Sequence, residues 1–131
     1  MRHVAVIDYG MGNLRSVSKA LEAVASDVTV KVTADPKLIQ SASHVVLPGV
    51  GAIRDCIDEL ARLNLDMIIQ EVAQTKPLLG ICLGMQALLS HSEENNGINA
   101  LNIIPGRVRQ FDVALPRTER DFKVPQMGWN Q

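Results

Sequence analysis

Charge of one sign is what this sequence most lacks. Its 13 lysines and arginines stand against 14 acids, leaving a net −1 at pH 7. That balance argues against a broad surface for nucleic acid or an anionic membrane. Long apolar runs are missing as well, and none approaches the roughly 18 residues that a membrane span needs. The opening MRHVAVIDYG does not have a signal-peptide layout, because Asp8 interrupts its short apolar stretch. Cysteine is scarce. Cys56 and Cys82 lie in different kinds of segment and make no disulfide framework. The expected compartment is a reducing cytoplasm. No cluster of cysteine and histidine has metal-ligand spacing, so no metal and no cofactor is expected.

What is present is an ordinary globular composition, 47% hydrophobic and 21% charged over 131 residues, the size of one domain. HVAVID at 3–8, VTVKVT at 28–33, HVVLP at 44–48 and PLLGI at 77–81 read as strands. Helices fall between them. Asn13 suits a cap before a face of Leu14, Val17, Leu21 and Val24. Asp35-Pro36 opens a short helix. Ile53, Ile57 and Leu60 mark another, which residues 66–74 either continue or follow as a second helix. Leu83 to Leu89 begins a further one. This alternation predicts an α/β, flavodoxin-like fold, a mainly parallel sheet with helices on both faces. After Gly97 the pattern weakens: INALNIIPGRVRQF offers short strands and DVALPRTERDF a polar excursion. The sheet is expected to be incomplete on its C-terminal side, with an unpaired edge.

Three turns fall at the carboxyl ends of predicted strands, where such sheets place their ligand crevice. They are YGMGN, PGVG and GICLGMQ. In the last, Cys82 is either a nucleophile on a sharp strand-to-helix turn or a small buried residue. Gly80 and Gly84 fit the first geometry, because small residues two positions either side let strand and helix approach. The N–H of Leu83 would then face a developing oxyanion, with Val50 or Gly51 of PGVG as the second donor. Taken alone, PGVG reads first as a plain strand-to-helix turn. A helix end lends a thiolate about 0.3–1 kcal/mol. It supplies no acid for a leaving amine, so acyl transfer needs a histidine. His3 and His44 start strands, at the wrong end of the sheet. His91 lies nine residues past Cys82, about 13 Å along a helix. Cys56 reads as a buried filler beside Ile53 and Ile57, and Glu93 and Glu94 as solvated charges. Arg15 takes the place of the third glycine of a dinucleotide fingerprint, and PGVG lacks the lysine of a phosphate loop.

GICLGMQ after PLL resembles the nucleophile motif of triad-type (class I) glutamine amidotransferases. PGVG, DYGMGNLRSV and PQMGWN narrow the resemblance to the glutaminase subunits of imidazole glycerol phosphate synthase, across residues 1–131. The resemblance implies a reaction. Cys82 attacks the carboxamide of glutamine, releases ammonia and forms a glutamyl thioester that water cleaves. It implies that Gly51, Gln86 and Glu94 hold the substrate, and that Val50, Gly51 and Leu83 supply the oxyanion hole. It implies a heterodimer with a (β/α)8-barrel cyclase subunit that takes up the ammonia, with Asn13 and Trp129 in segments facing it. Such families complete the triad with a His-x-Glu element downstream of MGWN. On that pattern residues 1–131 are the N-terminal part of a single amidotransferase domain, with negligible glutaminase activity alone. The alternatives are a non-catalytic module that docks on the cyclase, or another cysteine-elbow α/β hydrolase or redox thiol protein.

Overall fold

The computed structural model describes residues 2–111. DVALPRTERDF and PQMGWN, and Trp129 with them, lie outside the described residues. Strand β1 (Arg2–Ile7) is apolar almost throughout because both of its faces are buried, the pattern of a central parallel strand. Helix α1 (Leu14–Val24) follows, then β2 (Val28–Thr33), α2 (Pro36–Ser41) and β3 (His44–Leu47). Helices α3 (Ile53–Arg62) and α4 (Leu65–Thr75) lead to β4 (Leu78–Gly80) and the short α5 (Leu83–Ala87). The four strands pair in parallel in the order β2-β1-β3-β4. This is the flavodoxin-like order, with its switch point between β1 and β3.

The caps are those the sequence names. Asn13 accepts from the Ser16 N–H at 3.3 Å, and Asp35 from the Lys37 N–H at 2.9 Å ahead of Pro36. Lys76, at the end of α4, donates from Nζ to the Ala42 carbonyl at 2.8 Å and also reaches the Gln40 carbonyl. It thereby satisfies the C-terminal end of α2. The main core lies on one face of the sheet. There Ala5, Ile7, Val45 and Leu47 pack against Ile39, Ile53, Leu60, Leu65, Ile69 and Val72 from α2, α3 and α4. On the other face Val4, Val6 and Val46 meet Leu14, Val17 and Leu21 of α1.

Two expectations change, and the choice left open for residues 66–74 is decided. Val24 is 83% exposed and outside the α1 stripe. It is the last residue of α1. Residues 66–74 do not continue the preceding helix. Asn64 takes a left-handed backbone, φ 58°, and breaks the run into α3 and α4. After α5 the chain does not stay helical. A small sheet forms from β5 (His91–Ser92), β6 (Ile98–Asn99) and β7 (Arg107–Val108), with β5 central. Among the described residues no helix is long and apolar enough to cross a membrane.

Asn64 tolerates its φ because a short polar side chain suits that region, whereas other non-glycine residues incur about 1–2 kcal/mol. Asn64→Ala should therefore lower the unfolding free energy by about 1 kcal/mol. Asn64→Gly should leave it within about 0.5 kcal/mol. Urea titration of the two variants checks this.

Candidate active site at the carboxyl ends of the strands

The parallel register brings the ends of β1, β3 and β4 side by side, with Leu47 paired to Gly80. The chain then turns sharply. Ile81 N–H donates to the Leu47 carbonyl at 3.0 Å, and Cys82 adopts φ 54°, ψ −120° before α5 begins. A non-glycine residue held there stores about 1–3 kcal/mol of strain. The flanking glycines are sterically required. A Cβ on Gly84 would lie 1.9 Å from the Leu47 carbonyl oxygen, and one on Gly80 2.7 Å from Met85 Cα. The turn therefore presses α5 onto the end of β3 and leaves the Cys82 thiol exposed. Of the two readings of Cys82, the geometry is that of the nucleophile elbow.

PGVG lies directly beside it. A Cβ on Gly49 would be 3.0 Å from the Gly84 nitrogen, and Gly51 has φ +103°. Leu83 is buried, but its N–H is already in use, donating to the Gly49 carbonyl at 3.3 Å. A trans peptide sets its C=O and N–H on opposite sides. With the Gly49 carbonyl turned toward Leu83, the N–H of Val50 points away. The expected pair of donors is thus brought together but not free in this arrangement. YGMGN completes the rim: a Cβ on Gly12 would lie 3.5 Å from the Gly49 nitrogen. Asn13, beside it, is exposed and spends its side chain on capping α1.

Gln86 is half-buried one turn into α5. Glu94 is exposed in the 3-10 turn Glu94–Asn96 that follows β5, its N–H donating to Ser92 Oγ at 3.2 Å. Glu93, grouped with it by sequence, has a different task. Its carboxylate accepts from the Gln110 N–H at 3.1 Å and from Arg109 Nε at 3.4 Å. The Gln110 N–H first, then Arg109, hold it below the usual carboxylate range. Glu93 is therefore a tie to the strand after Gly106, whereas the Glu94 carboxylate makes no such tie among the described residues.

Each histidine is engaged away from Cys82. His3 Nε2 lies 3.0 Å from the Leu38 carbonyl, His44 Nδ1 3.1 Å from Ser43 Oγ, and His91 Nδ1 3.1 Å from Asn99 Oδ1. The helical distance expected for His91 does not apply, because α5 ends at Ala87 and His91 sits on β5. Among the described residues no group of three or more histidines, cysteines or acids could hold a metal ion.

Beneath PGVG lies a contact that sequence reasoning missed. Tyr9 is 2% exposed, and its hydroxyl donates to the Pro48 carbonyl at 2.7 Å. It accepts from Cys56 Sγ at 3.3 Å. The only hint in the sequence is a lone tyrosine at the end of an apolar strand. Burial, and then the contact with Cys56, push the Tyr9 phenol far above its ordinary range. Burial pushes the Cys56 thiol up more than Tyr9 lowers it.

A model of the "Glutamine amidotransferase class-I" family matches residues 5–131. The chain belongs to the class-I glutamine amidotransferases. Among curated members of this family, it is 61% identical to "Imidazole glycerol phosphate synthase subunit HisH" of Nitrosococcus oceani. It is 56% identical to the protein of the same name from Pseudomonas putida. Each match covers 100% of this chain and 61% of the relative, so the chain spans about three-fifths of the length of these amidotransferases. A putative peptidase E from Listeria monocytogenes shares the fold, with TM-score 0.61 at 17% identity over 79% of this chain and 63% of that one.

Two outcomes follow from the contrast between the cysteines. Iodoacetamide at neutral pH should modify Cys82 and leave Cys56 intact until the protein is unfolded, as peptide mass mapping reads. The second concerns stability. In the unfolded chain the thiol and phenol titrate in their ordinary ranges, about 8.5 and about 10, and both are raised in the fold. The folded state then keeps protons that the unfolded state releases, so stability falls as pH rises. Urea midpoints should be insensitive to these two groups below about pH 7.5. They should decline as the pH passes through 9 and 10, and Cys56→Ser should remove part of that decline.

Proposed function

We propose that this chain carries the nucleophile and substrate-holding part of a glutaminase that feeds ammonia to a cyclase subunit in histidine biosynthesis. One observation carries the reading: Cys82 is exposed on a positive-φ turn between two glycines that admit no side chain. The family match supports the chemistry, and the names of the relatives support the assembly. In this reading Cys82 attacks the side-chain carbonyl of glutamine. Leu83 and the PGVG backbone stabilise the oxyanion, and Gly51, Gln86 and Glu94 hold the amino-acid end. Asn13 and Trp129 contribute to the face that meets the cyclase. The general base is a histidine of the family's His-x-Glu element, since His3, His44 and His91 are bonded elsewhere.

The Leu83 donor must be released before it can serve. Rotation of the Gly49–Val50 peptide accomplishes this in one movement. It withdraws the Gly49 carbonyl and turns the Val50 N–H inward, and Gly49 permits the change in backbone angles. Removing one such donor typically lowers transition-state stabilisation by about 2.7–4 kcal/mol.

Residues 1–131 are, in the same reading, the N-terminal part of one amidotransferase domain. Support comes from the uneven cover of the sheet. On the α1 side an apolar groove of about 250 Å³ lies open along Val46, Leu78 and Leu79, and Leu79 is 54% exposed. β4 is an edge among the described residues. Both features suit a surface that further chain covers.

Exposure of the full-length subunit, with its cyclase, to a glutamine-shaped diazoketone should add one adduct at Cys82 and abolish ammonia release. Cys82→Ala should likewise abolish ammonia release and should take up no adduct. Intact cyclase binding without an adduct would favour a non-catalytic module. Reaction of Cys82 with general oxidants alone would favour a redox thiol or another hydrolase.

A further inference from the structure

The Pro48–Gly51 loop is held at both ends by one hydroxyl. Tyr9 stands just past β1, and Pro48 just past β3. Cys56 lies in the first turn of α3, its N–H bonded to the Ala52 carbonyl that closes the loop. The Tyr9 hydroxyl donates to the Pro48 carbonyl at 2.7 Å and accepts from Cys56 Sγ at 3.3 Å. All three residues are buried, so no water replaces either bond. The fit is close: a Cβ on Gly49 would come within 2.3 Å of that hydroxyl. The Pro48 carbonyl belongs to the peptide immediately before the Gly49–Val50 peptide whose carbonyl engages Leu83.

We propose that Tyr9, with Cys56 as its hydrogen-bond donor, is the positioning residue that fixes the Pro48 and α3 ends of this loop, so that rotation is confined to the Gly49–Val50 peptide beside Cys82. The consequence for catalysis rests on the glutaminase reading; the mechanical anchoring does not. Neither residue reaches substrate. Tyr9 acts through the Pro48 carbonyl. Cys56 acts through Tyr9, because a hydroxyl that accepts from the thiol is directed to donate toward Pro48. Above the ring, Gly49 supplies the flexibility, and below it the tyrosine withholds that flexibility from Pro48.

Amide hydrogen exchange resolved by NMR on the full-length subunit tests the anchoring. Tyr9→Phe keeps the ring and removes the bond. Exchange at Leu83 should accelerate about tenfold, the scale of one lost hydrogen bond, while Val6, Ile7 and Val46 exchange as before. Cys56→Ala should give a smaller acceleration at Leu83, and Cys56→Ser, which restores a donor, should return it to the original rate. If Tyr9→Phe does not fold, the two Cys56 variants decide the matter alone. Unchanged exchange at Leu83, or a uniform acceleration that includes Val6, Ile7 and Val46, overturns the proposal. In the full-length subunit with its cyclase, Tyr9→Phe should lower kcat about tenfold with KM unchanged. An equal rise in KM at constant kcat would also overturn it. Absence of ammonia release from the unsubstituted subunit would instead defeat the glutaminase reading and leave the exchange result to stand on its own.

Discussion

The contact between Gly84 and the end of β3 governs the rest of this structure. A side chain at Gly84 would collide with the Leu47 carbonyl oxygen, so α5 can start where it does only as glycine. The same carbonyl accepts the Ile81 N–H, which fixes the last residue before the turn. Cys82 is thus constrained from both sides into a backbone region it would not otherwise occupy. The strain, about 1–3 kcal/mol, is offset by burying Leu83, Ala87 and Leu88 against the core. One buried leucine contributes about 1.5–3 kcal/mol. The turn therefore persists because its neighbours are packed, and the thiol stays exposed because the turn persists.

The two cysteines show how far environment decides chemistry. Cys56 is fully buried, donates to a phenol and retains its proton. Cys82 is exposed, makes no side-chain cap, and stands at the mouth formed by three loops. One is enclosed beneath the loop and the other faces solvent. Tyr9 links the two settings. Its ring is part of the core, while its hydroxyl acts on the backbone beside the nucleophile.

Much of this was legible in the sequence, for identifiable reasons. β1 and β3 are continuous buried runs, and Gly80 and Gly84 bracket Cys82 at the spacing an elbow demands. Those signals are local, and local sterics decide them. The break at Asn64 was less visible, since Asn is tolerated both in a helix and in a left-handed turn, and only packing of α3 and α4 on one core selects the turn. β5 is two residues long and takes its partners from Asn99 and Arg107, so it had no periodicity to read. Glu93 and Glu94 are adjacent and chemically identical. Only the return of Gln110 singles out Glu93 as the tied carboxylate. The Tyr9–Cys56 bond joins residues 47 apart, and a pairing of that kind exists only after the sheet and α3 have docked.

The state of the Leu83 amide gives the site a particular energetic character. The bond that occupies it is a single backbone hydrogen bond of 3.3 Å. Such a bond contributes about 0.5–1.5 kcal/mol net. A perturbation of about 1.4 kcal/mol shifts an equilibrium tenfold, so an interaction of ordinary strength elsewhere on the loop is enough to change which peptide orientation dominates. The elbow behaves differently. Releasing Cys82 from its turn would require α5 to leave β3 and expose Leu83 and Ala87, which is worth several such increments. In the proposed reading the nucleophile is accordingly fixed by the fold, while the Leu83 donor beside it is held by one bond that a peptide rotation would release. Adjustment of this site is therefore concentrated in the Gly49–Val50 peptide, where the chain has glycine on one side, a buried tyrosine beneath and an exposed valine on the other.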